Sequence, residues 1–292
     1  MLNIIKIAVR NLLRYRRRTI LTSSLISIGI VSVLVFISVS GSFKRMMIGQ
    51  ITDSMIGHLQ IHKKGYVSSI DNLPLNLSID NQSMNKIESS MREIPEIKSY
   101  SERIKFSAMF SNFTSTTGIR LNAIHPDREF KTVPQLLSRL TPESGRELNP
   151  GEIFIPELLS RAFNIKPGDI AVIIATNRDG SVNGKQFTVA GILSSATGPG
   201  GRDGYINYED GVELLRMENP EPSEIAVRLK NFSKINGTYK ILKEKLVNTS
   251  MKNDISPLEV HTWEALSPFS TIARMIDLMT LFIRIMLIAI VM

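Results

Sequence analysis

From Thr19 to Phe43 the chain reads TILTSSLISIGIVSVLVFISVSGSF, twenty-five positions without a charged side chain. A helix of about 20 apolar residues is long enough to cross the hydrocarbon core of a bilayer, so the sequence predicts a transmembrane helix over residues 19–44. The serines and Gly29 fit that reading, because hydroxyls bond back to the helix's own carbonyls and small side chains let another helix approach closely. A partner helix is therefore expected.

The residues before the span set its direction. Lys6, Arg10, Arg14, Arg16, Arg17 and Arg18 occur in residues 1–18 with no acid among them, and basic flanks stay on the cytoplasmic side. Ile5, Ala8, Val9 and Leu12 recur at helical spacing beside these cations, which is the pattern of an amphipathic helix lying in the interface against anionic lipid. A cleaved signal peptide also starts basic, but its apolar region is only ~7 to 15 residues long. An uncleaved anchor fits better, with residues 45–268 outside the membrane.

The formal net charge of +8 could suggest nucleic-acid binding. Its distribution argues otherwise: seven positive residues and no acid lie in the first forty-four positions, whereas residues 45–273 hold 26 basic and 26 acidic side chains. The excess is a topology signal, and no nucleic acid is expected as a partner. Cysteine is absent, and the four histidines (His58, His62, His125, His261) show no ligand spacing, so neither a metal nor a cofactor is expected. His58 and His62 stand four apart, but GHLQIH alternates as a strand and would turn both away from the face of Leu59 and Ile61.

Beyond the span, Met46, Met47 and Ile51 continue the helix as a stalk until Gly57 introduces the first strand. Met84, Ile87, Met91 and Ile94 predict an amphipathic helix, with Asp80 or Asn81 as its cap and Pro95 as its end. Two extended runs follow, IKSYSERIKFSAMF and GIRLNAI. The strand–helix–strand order returns late in the chain as EIAVRL, then Ile235, Tyr239, Leu242 and Leu246 at helical spacing, then SPLEVHTW. This predicts a weak internal repeat around a β-rich insert at about residues 123–222. The insert contains PGEIFIPELLSRAFNIKPGD, IAVIIAT, FTVAGIL and the glycine-rich GPGGRDG. Neither that loop nor GSVNGKQ has the spacing and Lys-Ser/Thr ending of a phosphate-binding P-loop, so no ATPase activity is expected. Six Asn-x-Ser/Thr matches are read as chance in a chain rich in Asn and Ser.

Residues 269–292, ending TIARMIDLMTLFIRIMLIAIVM, read as the start of a second span on which the chain stops. Arg274, Asp277, Leu281 and Arg284 share a helical face. Asp277 and Arg284 are the expected intramembrane charges, facing a bundle interior or an aqueous cavity; in the alternative, Arg274 and Asp277 lie at the water interface and Arg284 alone is deep.

The start IKIAVRNLLRYRRRT, one span, GHLQIHKKGY, PGEIFIPELLSRAFNIKPGD, FTVAGIL and the returning span together resemble the permease subunits related to MacB and FtsX. GHLQIHKKGY is most similar to the lipoprotein-releasing permeases LolC and LolE. The resemblance implies a bacterial inner-membrane protein with α-helical spans and a large α+β extracytoplasmic domain, a MacB-like periplasmic core with a mixed α/β part and a β-rich insert. It also implies a cytoplasmic ABC ATPase, a second permease forming a homo- or heterodimer, and a periplasmic lipoprotein carrier as partners. Lipoprotein release by mechanotransmission is the expected function; a MacB-like efflux permease and an FtsX-like regulator of cell-wall hydrolases are the alternatives. If lipoproteins are the cargo, their acyl chains need an apolar surface opening to the bilayer. Phe36, Val39, Phe43, Met46 and Met47 offer one along the outer end of the first span.

Overall fold

The computed structural model describes residues 10, 12, 14–194, 203–250 and 257–291, and divides into two compact units, 1–48 with 269–292 and 49–268. The first unit holds most of helix α1 (Arg16–Ile51) and helix α8 (Phe269–Val291). Among the described residues one helix is long and apolar enough to cross a membrane, the continuous run Arg16–Ile56. It starts three residues earlier than the uncharged stretch requires and ends well beyond it, the last turn being a π-helix, Thr52–Ile56. Helix α8 has Arg274, Asp277 and Arg284 among its 23 residues and is not such a helix.

The second unit has two parts. Strand β1 (Leu59–Lys63), helix α2 (Asn81–Arg92) and the first half of strand β2 (Ile97–Ser111) form one βαβ unit; strand β8 (Glu224–Leu229), helix α6 (Ile235–Ser250) and strand β9 (Leu258–Thr262) form the other. The four strands pair antiparallel in the order β2-β8-β1-β9, so the halves interleave as a split βαβ sheet. Helix α2 begins where Asp80 caps it, its carboxylate accepting the Ser83 N–H at 2.8 Å, which satisfies one of the free donors of the first turn. Alternation then assigns the faces. Leu59, Ile61, Ile225, Val227 and Val260 share one face in register and are buried. Helix α2 reaches that face through Tyr100 Oη, which donates to Glu88 at 2.8 Å, and α6 packs beside it against β9.

The second half of β2 turns away from this sheet and joins a ring. Strands β3 (Thr116–Ile124), β7 (Asp203–Asn207), β4 (Glu152–Pro156), β6 (Val182–Leu193) and β5 (Ile170–Thr176) follow in order, and β2 pairs with both β3 and β5, closing a six-stranded barrel. The barrel therefore includes β2 and β3, which begin before residue 123. Its interior is filled by alternate residues, among them Phe106, Phe110, Leu121, Ile153, Ile173, Phe187 and Ile206. Each such side chain contributes about 1.5–3 kcal/mol by burial. Helix α5 (Tyr208–Leu214) lies close on the wall: a Cβ at Gly211 would come within 2.3 Å of the Ala123 Cβ. Helix α3 (Pro126–Thr132), with proline at its first turn, and helix α4 (Glu157–Phe163) complete the connections, and helix α7 (Trp263–Leu266) follows β9.

Candidate functional site

The second face of the split sheet is polar and buried. His58, Gln60 and His62 turn away from Leu59 and Ile61, as the strand reading of GHLQIH expects, and are 4%, 2% and 0% exposed. Ser101, Arg103 and Glu224 share their side. Helix α3 covers it, Ser99 Oγ donating to the Lys131 carbonyl at 3.1 Å.

At its centre Arg103, 2% exposed, donates through Nη2 and Nε to both oxygens of Glu129 at 2.6 and 3.1 Å, and through Nη1 to Glu224 Oε1 at 2.8 Å. Gln60 Nε2 reaches the same Glu224 oxygen at 3.3 Å, and Lys105 Nζ lies 3.4 Å from the other. Burial raises the Glu224 carboxyl, but the charges of Lys105 and Arg103 outweigh it and hold the group well below the usual carboxylate range. Burial lowers the Arg103 guanidinium, and Glu129 and Glu224 more than reverse this. The three charges pin β2, β8 and α3 together.

The end of the long helix meets the same face. Asp53, in the π-turn, accepts from Arg228 Nη1 at 2.7 Å and lies 3.7 Å from His58 Nε2. Its carbonyl accepts the Gln135 N–H at 2.8 Å, and Arg228 also donates to the Thr132 carbonyl at 3.4 Å. Burial raises the Asp53 carboxyl, and the hydrogen bonds of His58 and Arg228 bring it below its ordinary value. Ile51, Thr52 and Ser54 are buried here. Gly57 then turns the chain into β1 at φ 75°, ψ −170°, a region open to glycine.

The residues singled out by the sequence fall elsewhere. Phe36, Val39, Phe43 and Met46 are exposed along α1, and Met47 is half-buried. Asp277 accepts from Lys44 at 2.6 Å, a link between α1 and α8 that the sequence reading missed because 233 positions separate the two. Arg284 is exposed and has no carboxylate partner among the described residues. Arg10, Arg14, Arg16, Arg17 and Arg18 are exposed; Lys6 lies outside the described residues, as does most of the glycine-rich loop before β7. Among the described residues no group of three or more His, Cys, Asp or Glu is placed to hold a metal ion. The buried Arg103 network was not foreseen; a signal for it was present in the charges of SYSER and SEIAVR, set among alternating strand residues.

Residues 19–243 match the model of the MacB-like periplasmic core domain. In structure, 76% of the chain aligns with 94% of the periplasmic region of MacB from Actinobacillus actinomycetemcomitans, at 15% identity and a TM-score of 0.50. The extracellular domain of the noncanonic ABC-type transporter YknZ from Gram-positive bacteria aligns over 70% of the chain and 98% of its own length, at 14% identity and a TM-score of 0.44. No curated protein matches in sequence. The family works with cytoplasmic ABC ATPases and is of the permease type. A match over residues 19–243, supported by the fold, shows that the chain belongs to the family with a MacB-like periplasmic core domain, as a membrane protein with an extracytoplasmic domain.

Proposed function

We propose that the chain is the permease subunit of an ABC transporter working by mechanotransmission, and that it releases lipoproteins from the bacterial inner membrane. The observation that carries the mechanical part is the joint at Asp53. The last turn of helix Arg16–Ile56 is held by a charge-assisted hydrogen bond to Arg228 and a backbone bond from Gln135. In this reading a push or twist that reaches the turn at Asp53 passes into β8 and α3 through those bonds. No nucleotide-binding motif occurs in these residues, and the proposal assigns ATP hydrolysis to a cytoplasmic ABC ATPase of the kind the family works with.

The cargo is proposed from the surface of α1. Phe36, Val39, Phe43 and Met46 present apolar side chains that an acyl chain can cover at ~0.8 kcal/mol per CH₂, and Met47 adapts to irregular shapes. Phe43 and Met47 replaced by a photo-crosslinking amino acid should capture a lipoprotein in cells. Crosslinks only to a second permease would reject this entry site. An efflux permease, favoured by the likeness to MacB, would show no lipoprotein adduct but would depend on an adjacent efflux partner. An FtsX-like regulator would instead require a cell-wall hydrolase.

A further inference from the structure

The ladder between β1 and β8 ends at Leu59 and Val227, because Gly57 bends the chain away toward the long helix. Beyond it the His58 N–H still reaches the Val227 carbonyl at 2.9 Å. The Leu229 N–H, two residues along β8, is taken by a side chain instead: it donates to His58 Nδ1 at 3.0 Å, and both residues are buried. The other ring nitrogen, Nε2, lies 3.7 Å from Oδ1 of Asp53 in the helix's last turn, the one carboxylate within 4 Å of the ring among the described residues. Asp53 in turn holds Arg228 of β8. The short turn after β8 brings the Phe232 ring edge-on at 5.1 Å, while its Lys234 is engaged with Glu96 at 2.6 Å. Helix α7 brings the Trp263 N–H to the His58 carbonyl at 3.2 Å, and its Glu264 is exposed.

We propose that His58 makes the joint between the long helix and the split sheet sensitive to protons: the neutral ring ties the end of β8 to the start of β1, and protonation at Nδ1 releases that tie. The geometry sets the tautomer. A neutral imidazole has one N–H and one acceptor nitrogen, so accepting from Leu229 leaves Nδ1 bare and puts the hydrogen on Nε2, on the side of Asp53. A proton taken from water makes both nitrogens donors. The Nδ1–H and the Leu229 N–H then oppose each other across 3.0 Å, and a buried amide is left without an acceptor. The same proton strengthens the hold on Asp53, because an imidazolium N–H beside a carboxylate forms a charge-assisted bond. Asp53 is thereby drawn toward β1 in competition with Arg228 of β8. Both changes act in one direction. They move the helix's last turn from β8, the strand it is bonded to at Arg228, to β1, the strand that follows it directly.

The meaning of this switch for transport rests on the permease reading, but the experiment reads the joint itself, so the two can fail separately. The full chain is studied in detergent. Nitrogen NMR with isotope-labelled histidine, the four residues assigned by single His→Gln replacements, should show His58 Nδ1 bare and Nε2 protonated near pH ~8. Hydrogen exchange resolved to the Leu229 amide, corrected for its intrinsic pH dependence, should show protection falling at least about tenfold between about pH 8 and 5, the range in which histidines change charge. In His58→Gln, whose amide oxygen accepts a bond but does not titrate, that fall should vanish. His261→Gln should keep it, which separates His58 from acid effects elsewhere in the domain. If His58→Gln does not fold, the other three replacements assign the His58 signals by elimination, and the tautomer and the wild-type exchange still decide. A hydrogen on Nδ1 near pH ~8, constant protection of Leu229, the same fall in folded His58→Gln, or its loss in His261→Gln would overturn the assignment.

Discussion

Arg228 Nη1 and Asp53 Oδ1 lie 2.7 Å apart, joining the middle of the split sheet to the last turn of the helix that begins at Arg16. Both side chains are about four-fifths buried, so screening by water is partial and the bond is stronger than a surface ion pair. Removing either partner leaves a poorly solvated charge. Asp53→Asn and Arg228→Met should each cost about 1.5–3 kcal/mol of stability, and a double-mutant cycle by denaturant unfolding should give a coupling above ~0.5 kcal/mol. Additive effects would show that the pair does not act as a unit.

The Arg103 network should respond differently to one change and to three. Arg103→Met leaves the fully buried Glu129 without a counter-charge and the equally buried Glu224 with Lys105 alone at 3.4 Å, at a cost of about 3–5 kcal/mol. Adding Glu129→Gln and Glu224→Gln removes the stranded charges and should restore a substantial part of the loss. Thermal unfolding of both variants decides this; a triple variant no more stable than the single one would contradict it.

Glycine at position 57 should be indispensable. Its φ of 75° with ψ of −170° strains any other residue by about 1–3 kcal/mol, and a Cβ would stand 3.1 Å from the Val227 carbonyl oxygen. Gly57→Ala should lower the midpoint of unfolding accordingly, whereas Gly180→Ala, also at positive φ but in open space, should cost less. Equal losses would mean that the contact with Val227 adds nothing to the backbone strain.

Acid should loosen the outer domain in two stages. Burial lowers the His261 imidazole, and the neighbouring His62 lowers it further against the pull of Glu259; burial lowers His125 as well. A histidine whose folded value is depressed stabilises fully above its unfolded value of ~6.5, and that contribution is lost as pH falls below it. Asp53 and Glu224, also depressed, lose theirs at lower pH, below ~4. Melting temperature should be flat above neutrality, decline through the histidine range, and drop more steeply in the carboxylate range. His261→Gln should flatten the first decline. Rising stability between about pH 7 and 5.5 would reverse the expected sign.

The local signals in the sequence translate directly into structure. Asp80 caps α2 and Gly57 turns the chain into β1, because capping and positive φ are properties of single residues. The repeated strand–helix–strand order is visible for a similar reason, since each half buries one face by its own periodicity. What stays hidden is long-range. The barrel closes through parallel pairs β3–β7 and β4–β6, whose register no local pattern specifies. Arg103, Glu129 and Glu224 each look like an ordinary solvated charge until partners 26 and 121 positions away arrive.

The closed ring of six strands has a practical consequence for anyone wishing to graft this domain. Residues 123–222 look like a removable cassette, yet β2 serves both sheets and β3 reaches the ring before the cassette begins. Cutting the cassette out would strip β2 and β3 of their outer neighbours and open the seams that β5 and β7 now seal. It would also bare Phe106 and Phe110, now 1% and 0% exposed, on a two-stranded ribbon with sticky margins on both sides. A viable exchange between relatives has to carry the far half of β2 along with the insert, placing the junctions near Arg103 and Glu224, where the two architectures are already fastened to each other by charge.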